Sequence, residues 1–243
     1  MWNLLTVDVC LQTGIMLPVW KVIGFVIYVI LYYSVLDAYT VWPVASLKSL
    51  FFKTMPIMHL IFIVISTSME EDIKPKSSHY RWNIALGLIA CGIGDGWIIF
   101  ADFPGVLIFS IGHLFYIRAF GIRPLGSGPV AASFAVAAVA AYFLIVDMLP
   151  VLMIKVTIGI YLLVLFTVAW RSMVVLQNER SLDSFLACFG SIVFIVCDVL
   201  CIVTKFRELF DQAPFWVMLT YYLAQLGIAL SACNSHSIYD KIE

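Results

Sequence analysis

The sequence predicts an all-α fold: a polytopic transmembrane bundle of eight helices, with a weak internal spacing that divides it into two parallel four-helix halves. Three observations predict it. Of 243 residues, 63% are apolar and 12% are charged, against roughly 45–50% and 25% in soluble proteins. The apolar residues fall into eight separate runs, each close to the about 20 residues that a membrane-spanning helix needs. The connections between the runs carry Lys and Arg almost entirely on one side. A soluble fold could not hide so much apolar surface, and a disordered chain would not contain it. Fourteen Lys and Arg against fifteen Asp and Glu leave no net field for a polyanion, which excludes a basic nucleic-acid binder.

The elements follow in order. Residues 1–18 start Met1-Trp2-Asn3, have no basic residue before Lys21, and carry Asp8 within their apolar stretch. A cleavable signal starts with a basic region, so these residues read as a cytosolic or interfacial lead-in, with a ninth span as the alternative. The first span is 19–36. The second, 43–66, opens on Pro43. An aqueous connection from Thr67 to Arg81, with Glu70, Glu71, Asp72, Lys74, Lys76 and His79, leads to the third, 82–100. The fourth, fifth and sixth spans, 104–120, 129–147 and 149–171, open on Pro104, Pro129 and Pro150. The seventh is 183–203, and the eighth, 214–232, opens on Pro214. Proline does little harm in a first turn, where its missing N–H has no helical partner. Residues 233–243 form a tail. No run suggests a second domain, so the chain reads as one integral-membrane domain.

Lys and Arg concentrate on the cytosolic side of membrane proteins. With the N-terminus there, that side collects Lys21, Lys74, Lys76, Arg81, Arg118, Arg123, Arg171, Arg180 and Lys241, and the other side only Lys205 and Arg207. Both termini are therefore expected in the cytosol.

Away from the span ends, five charged side chains lie inside the spans: Lys48, Lys53, Asp95, Lys155 and Asp198. Such groups are costly in a bilayer and face a bundle interior or a wet cavity. Asp95 and Asp198 each lie about five residues before the outer ends of the third and seventh spans. At about 1.5 Å per residue they share a depth. His113 and Tyr116 on the fourth helix, and Tyr221, Tyr222 and Gln225 on the eighth, fall at a similar depth. Lys53 on the second and Lys155 and Tyr161 on the sixth complete the band. Polar side chains from six helices thus gather in one layer in the outer half of the membrane. Lys53 to Lys155 is 102 residues, Asp95 to Asp198 is 103, and Tyr116 to Tyr221 is 105; a parallel duplication would leave such spacings.

Structural readings compete with a functional one. Lys53–Asp95 and Lys155–Asp198 could be buried ion pairs that fix helix register. His59, two turns past Lys53, reads as a packed or hydrogen-bonded histidine, and Lys48 as a side chain that snorkels to the interface. Trp20, Trp42, Trp82, Trp170 and Trp216 read as interface anchors. Gly87, Gly92, Gly94 and Gly96 let backbones approach around Asp95. The six cysteines, Cys10, Cys91, Cys188, Cys197, Cys201 and Cys233, show no metal or redox spacing and read as small packing residues. One well-placed His and two Asp are a poor zinc set. No G-x-S-x-G motif supports a serine nucleophile, and a Cys–His pair would need Cys91 or Cys197 near His113.

Two carboxylates in a dry layer suit acid/base work. Burial disfavours the charged form of a carboxyl, and a second carboxyl nearby separates the two titrations. One can then serve as general acid while the other is an anion. Bond cleavage through an oxocarbenium ion needs that division.

Several stretches match a known pattern. They are Gly94-Asp95, Phe103-Pro104-Gly105, Gly112-His113-Leu114-Phe115-Tyr116 and Ala119-Phe120-Gly121, then Cys197-Asp198, Thr220-Tyr221-Tyr222-Leu223-Ala224-Gln225 and Leu230-Ser231-Ala232. Together with Phe52-Lys53, Met55-Pro56, Tyr161 and Trp170-Arg171, they give a sequence that resembles the lysoplasmalogenase (YhhN-like) family from about residue 20 to 232. One departure is Cys197, where the family has Ser before the second aspartate. The resemblance implies hydrolysis of the vinyl ether bond of lysoplasmalogens to a fatty aldehyde and glycerophosphocholine or glycerophosphoethanolamine. No cofactor is implied. The partners implied are an alkenyl lysophospholipid and the surrounding membrane lipids, with a homo-oligomer left open, and the location is the endoplasmic reticulum membrane. On this view Asp95 and Asp198 are the catalytic pair. The glycines beside Asp95 favour it as the acid and Asp198 as the base, with the reverse open. His113, Tyr116, Tyr221, Tyr222 and Gln225 would hold water or the glycerophosphate. Lys53 would meet the phosphate or act as counter-ion, and Lys155 and Tyr161 would join the substrate contacts. A transporter or lipid carrier built on the same layer is the alternative, and a non-catalytic membrane interaction protein is a third.

Overall fold

The computed structural model describes residues 19–69, 75–207 and 210–233. The lead-in expected at residues 1–18 and most of the C-terminal tail lie outside the described residues. Eight α-helices follow one another: α1 (Val19–Leu36), α2 (Leu47–Met69), α3 (Pro75–Phe100), α4 (Asp102–Phe120), α5 (Gly128–Ile145), α6 (Leu152–Glu179), α7 (Leu182–Phe206) and α8 (Ala213–Ser231). A short 3₁₀ turn, Val146–Met148, extends α5. No strand occurs among the described residues. Of these helices, α2 to α8 are long and apolar enough to cross a membrane. In α1 the apolar run is shorter, Lys21–Leu36, although its 18 residues still reach about 27 Å at about 1.5 Å per residue. The chain is a multi-pass membrane protein. The loops alternate between two ends, and the end that carries the α1–α2, α3–α4, α5–α6 and α7–α8 connections is called outer below.

The tightest packing is within two hairpins, α3 with α4 and α7 with α8. Missing side chains explain both. A Cβ on Gly87 would stand 2.2 Å from the Tyr116 ring, and one on Gly190 would stand 2.6 Å from the Ala224 carbonyl oxygen. Only glycine admits such contact between helices. α8 also packs on α2 and α3, so it runs through the middle of the bundle. α5 rests chiefly on α6, and most of its surface faces outward.

Two prolines sit differently from expectation. Pro43 lies before α2, which starts only at Leu47. The reason is Ser46, whose Oγ accepts the Ser49 N–H at 3.1 Å and whose carbonyl accepts the Leu50 N–H at 3.0 Å. This is the capping role serine fills at a helix start. Pro150 lies before α6. Proline disfavours the helical region for its predecessor; Leu149 is extended, Val151 is extended as well, and the helix starts at Leu152. α3 reaches back into the expected aqueous loop as far as Pro75, and α6 continues past Arg171 to Glu179.

Three basic residues counted as loop charges are buried: Lys21, Arg81 and Arg171. The Lys21 ammonium donates to Ser66 Oγ at 3.1 Å, joining α1 to α2. The Arg171 guanidinium donates Nε–H to the Gly121 carbonyl and Nη1–H to the Pro124 carbonyl, both at 2.6 Å. One planar fork thus fastens the α4–α5 connection to α6.

Candidate functional site

Asp95 is buried near the outer end of α3. Its Oδ1 lies 3.1 Å from the Lys53 ammonium on α2. Its Oδ2 accepts the Tyr221 hydroxyl of α8 at 2.5 Å. Behind Tyr221 the network continues. The Gln225 amide N–H donates to the Tyr221 oxygen at 3.4 Å, and Gln225 Oε1 accepts the Tyr116 hydroxyl of α4 at 2.7 Å. Lys53 is fixed a second time: its backbone carbonyl accepts the Tyr222 hydroxyl at 3.0 Å. Four helices therefore converge on one carboxylate.

Asp198 has a different environment. It is half-buried on α7 and accepts the Tyr161 hydroxyl of α6 through Oδ2. Among the described residues no cation pairs with it. Lys155 is half-buried and makes no ion pair with it. Of the two ion pairs weighed from the sequence, the one at Asp95 forms and the one at Asp198 does not. The spacing pattern therefore does not carry over into matching chemistry, because the second half supplies a tyrosine where the first supplies a lysine.

The two carboxylates line one cavity of about 1310 Å³. Lys53, Tyr161 and Tyr221 share its wall. The cavity extends to the outer end, where Thr40 to Pro43, Ala101, Leu149, Phe210, Asp211 and Ala213 border it. His113, Tyr116, Tyr222 and Gln225 stand behind the wall, fully buried, and Lys155 is also off it. His113 donates Nδ1–H to the Phe109 carbonyl at 2.7 Å, which leaves Nε2 as the unprotonated nitrogen. Its ring packs edge-on to Phe194 at 4.7 Å and Tyr161 at 5.6 Å.

The competing structural readings also resolve. His59 Nε2 is 2.8 Å from the Lys21 carbonyl, and Lys48 is exposed near the start of α2. Cys91, Cys188, Cys197, Cys201 and Cys233 are free thiols, and Cys197 donates weakly to the Val217 carbonyl. Among the described residues no group of three His, Cys, Asp or Glu is placed to hold a metal ion. Sequence reasoning missed the rim of the cavity: Trp42, Thr204, Lys205 and Asp211 border it. A search by depth within spans could not find them, since they lie in connections or in a final helical turn.

Fold and site define the class: a polytopic helical membrane protein with a carboxylate-lined cavity open at one end. The chain belongs to the YhhN family, whose model matches residues 48–232, the whole of α3 to α8 and nearly all of α2. It is 31% identical to lysoplasmalogenase TMEM86A of Bos taurus over 197 residues, 78% of this chain and 80% of that protein. It is 30% identical to lysoplasmalogenase TMEM86A of Homo sapiens, over 78% of this chain and 80% of that protein. Lysoplasmalogenase TMEM86B of Rattus norvegicus is 29% identical over 75% of this chain and 72% of that protein. No solved structure matches the chain.

Proposed function

We propose that the protein is a lysoplasmalogenase, an enzyme that hydrolyses the vinyl ether bond of lysoplasmalogens to a fatty aldehyde and glycerophosphocholine or glycerophosphoethanolamine. The names of its relatives support the substrate class. The observation that carries the chemistry is the unequal setting of two carboxyls on one cavity wall. Asp95, held by an ammonium and a phenol, suits the anion that serves as base. Asp198, met by the neutral Tyr161 hydroxyl and by no cation among the described residues, suits the acid. This reverses the order that the glycines beside Asp95 favour.

The reaction then runs as follows. Asp198 protonates the vinyl carbon remote from oxygen, giving an oxocarbenium ion. Water adds to the carbon next to oxygen and gives its proton to Asp95. The hemiacetal gives its hydroxyl proton to Asp198 while Asp95 protonates the glycerol oxygen, which leaves; both carboxyls regain their starting states, and one water is consumed per aldehyde. Proton transfer to carbon is slow, and a pre-positioned acid shielded from bulk water is what a protein can add. The alkenyl chain enters from the bilayer, and water reaches the site from the outer end. We place the protein in the endoplasmic reticulum membrane as one domain with both termini cytosolic.

The test is aldehyde release by the purified protein from lysoplasmalogen and from the corresponding acyl lysophospholipid. Release from the first alone supports the reading; release from neither overturns it. A cavity open at one end also suits a carrier, which predicts lipid flux across vesicles without aldehyde.

A further inference from the structure

We infer that the outer rim of the cavity is the seat of the substrate's ammonium headgroup, formed by Asp211 and Trp42, and that it sets the preference among zwitterionic lysophospholipids. The inference rests on the proposed reaction and adds the group that it leaves unassigned. Lys53 is committed to Asp95 at 3.1 Å, so it neutralises the carboxylate rather than the lipid.

Length fixes where the headgroup must lie. Asp95 is five residues from the end of α3 and Asp198 is eight from the end of α7. At about 1.5 Å per residue these are depths of roughly 7 and 12 Å. From the vinyl ether oxygen to the amine of the headgroup there are nine bonds, which at about 1.5 Å each and tetrahedral angles span roughly 11 Å. A vinyl ether held between the two carboxyls therefore brings its ammonium to the rim.

The rim has the chemistry for it. Trp42 in the α1–α2 connection and Asp211 in the α7–α8 connection are both exposed, and both line the cavity. No basic side chain pairs with Asp211 among the described residues. α1 and the α1–α2 connection are tied to the start of α8. The Tyr33 hydroxyl of α1 donates to the Phe215 carbonyl of α8 at 2.8 Å, and the Tyr39 and Phe215 rings stack at 6.0 Å. Each group suits an alkylated ammonium: an indole face attracts it through cation–π contact, and a carboxylate pairs with its charge. Lys205, in the last turn of α7, borders the same rim.

The experiment uses purified full-length protein and its Asp211→Asn and Trp42→Leu variants. Three substrates are compared: choline lysoplasmalogen, ethanolamine lysoplasmalogen, and the alkenyl glycerophosphate that lacks an amine. Asp211→Asn is expected to raise KM about fivefold for both zwitterions, as loss of a partly exposed ion pair would. It leaves kcat and the amine-free substrate unchanged. Trp42→Leu raises KM for the choline substrate above all. An equal rise for the amine-free substrate, or no rise for any, overturns the assignment. If the wild-type protein releases no aldehyde, the reaction itself is wrong. The rim is then judged by equilibrium binding of saturated ether lysophospholipids, where Asp211→Asn must weaken the choline analogue and spare the amine-free one.

Discussion

Lys53 and Asp95 meet at 3.1 Å across α2 and α3, within a bundle where the second aspartate, Asp198, meets a tyrosine instead. The lysine is 14% exposed and the aspartate 2%, so the pair is largely removed from solvent. Breaking such a pair costs about 3–5 kcal/mol because one charge is left buried, whereas removing both partners costs far less. Lys53→Met should therefore lower Tm by several degrees in detergent, and Lys53→Met with Asp95→Asn should recover most of the loss. Thermal unfolding followed by fluorescence checks this. An additive loss in the double variant would show that the pair contributes nothing.

Asp198→Asn removes the proposed acid and Asp95→Asn the proposed base. Each should lower kcat by about 10²–10⁴, the range for general acid–base groups. Their pH profiles should differ in sign. An acid works only while protonated, so activity falls as pH rises through its titration; a base loses activity as pH falls. Residual activity of Asp198→Asn should lack the alkaline decline, and that of Asp95→Asn the acid decline. The opposite pattern would exchange the two roles.

Tyr161→Phe removes the hydroxyl bonded to Asp198 and keeps the ring that packs on His113. A roughly tenfold fall in kcat with unchanged Tm is expected, since what is lost is orientation of one carboxyl. Unchanged kcat in a steady-state aldehyde assay would remove Tyr161 from the mechanism.

Gly87 has the Tyr116 ring 2.2 Å from where a Cβ would stand. Gly87→Ala should displace that ring, break its bond to Gln225 and cost about 1–3 kcal/mol as overpacking. Tyr116→Leu in the same chain should relieve the clash and restore part of the Tm. No rescue would mean that the two helices separate as a unit.

Arg171→Met strips the hydrogen bonds from the Gly121 and Pro124 carbonyls. The α4–α5 connection should then be cut by an added protease faster than in the wild type, and Arg171→Lys should rescue only partly, because an ammonium cannot reproduce the fork. Equal cleavage rates in limited proteolysis would show that the loop is held by other contacts.

The helices were legible because hydrophobic length is a direct physical demand of the bilayer, and α4, α5 and α8 begin within two residues of their expected starts. The depth of Asp95, five residues from the end of its helix, was legible for the same reason; Asp198 lies eight residues from the end of α7 rather than five, because that helix runs three residues past its expected end. Their partners were not. Lys155 and Tyr161 shared one band in the sequence, and only the rotation of α6 decides that Tyr161, not Lys155, meets Asp198. Rotation depends on packing that a span-by-span reading cannot supply. Arg171 shows the converse limit. It sits where a loop charge would be expected, and nothing local reveals that two backbone carbonyls draw it inward. Trp42 and Asp211 reach the cavity from the α1–α2 and α7–α8 connections, whose course a reading of the spans does not give.

Tyr222 grips the backbone of Lys53 while the side chain of Lys53 grips Asp95. One residue is thus both the electrical neighbour of the site and a rivet between α2 and α8. In the proposed reaction Asp95 changes charge, which alters the pull on Lys53, a residue whose carbonyl is bonded to the central helix. In the proposed reaction the protonation state of Asp95 is thus linked to the seating of α8 at two points, through Lys53 and through the Tyr221 hydroxyl.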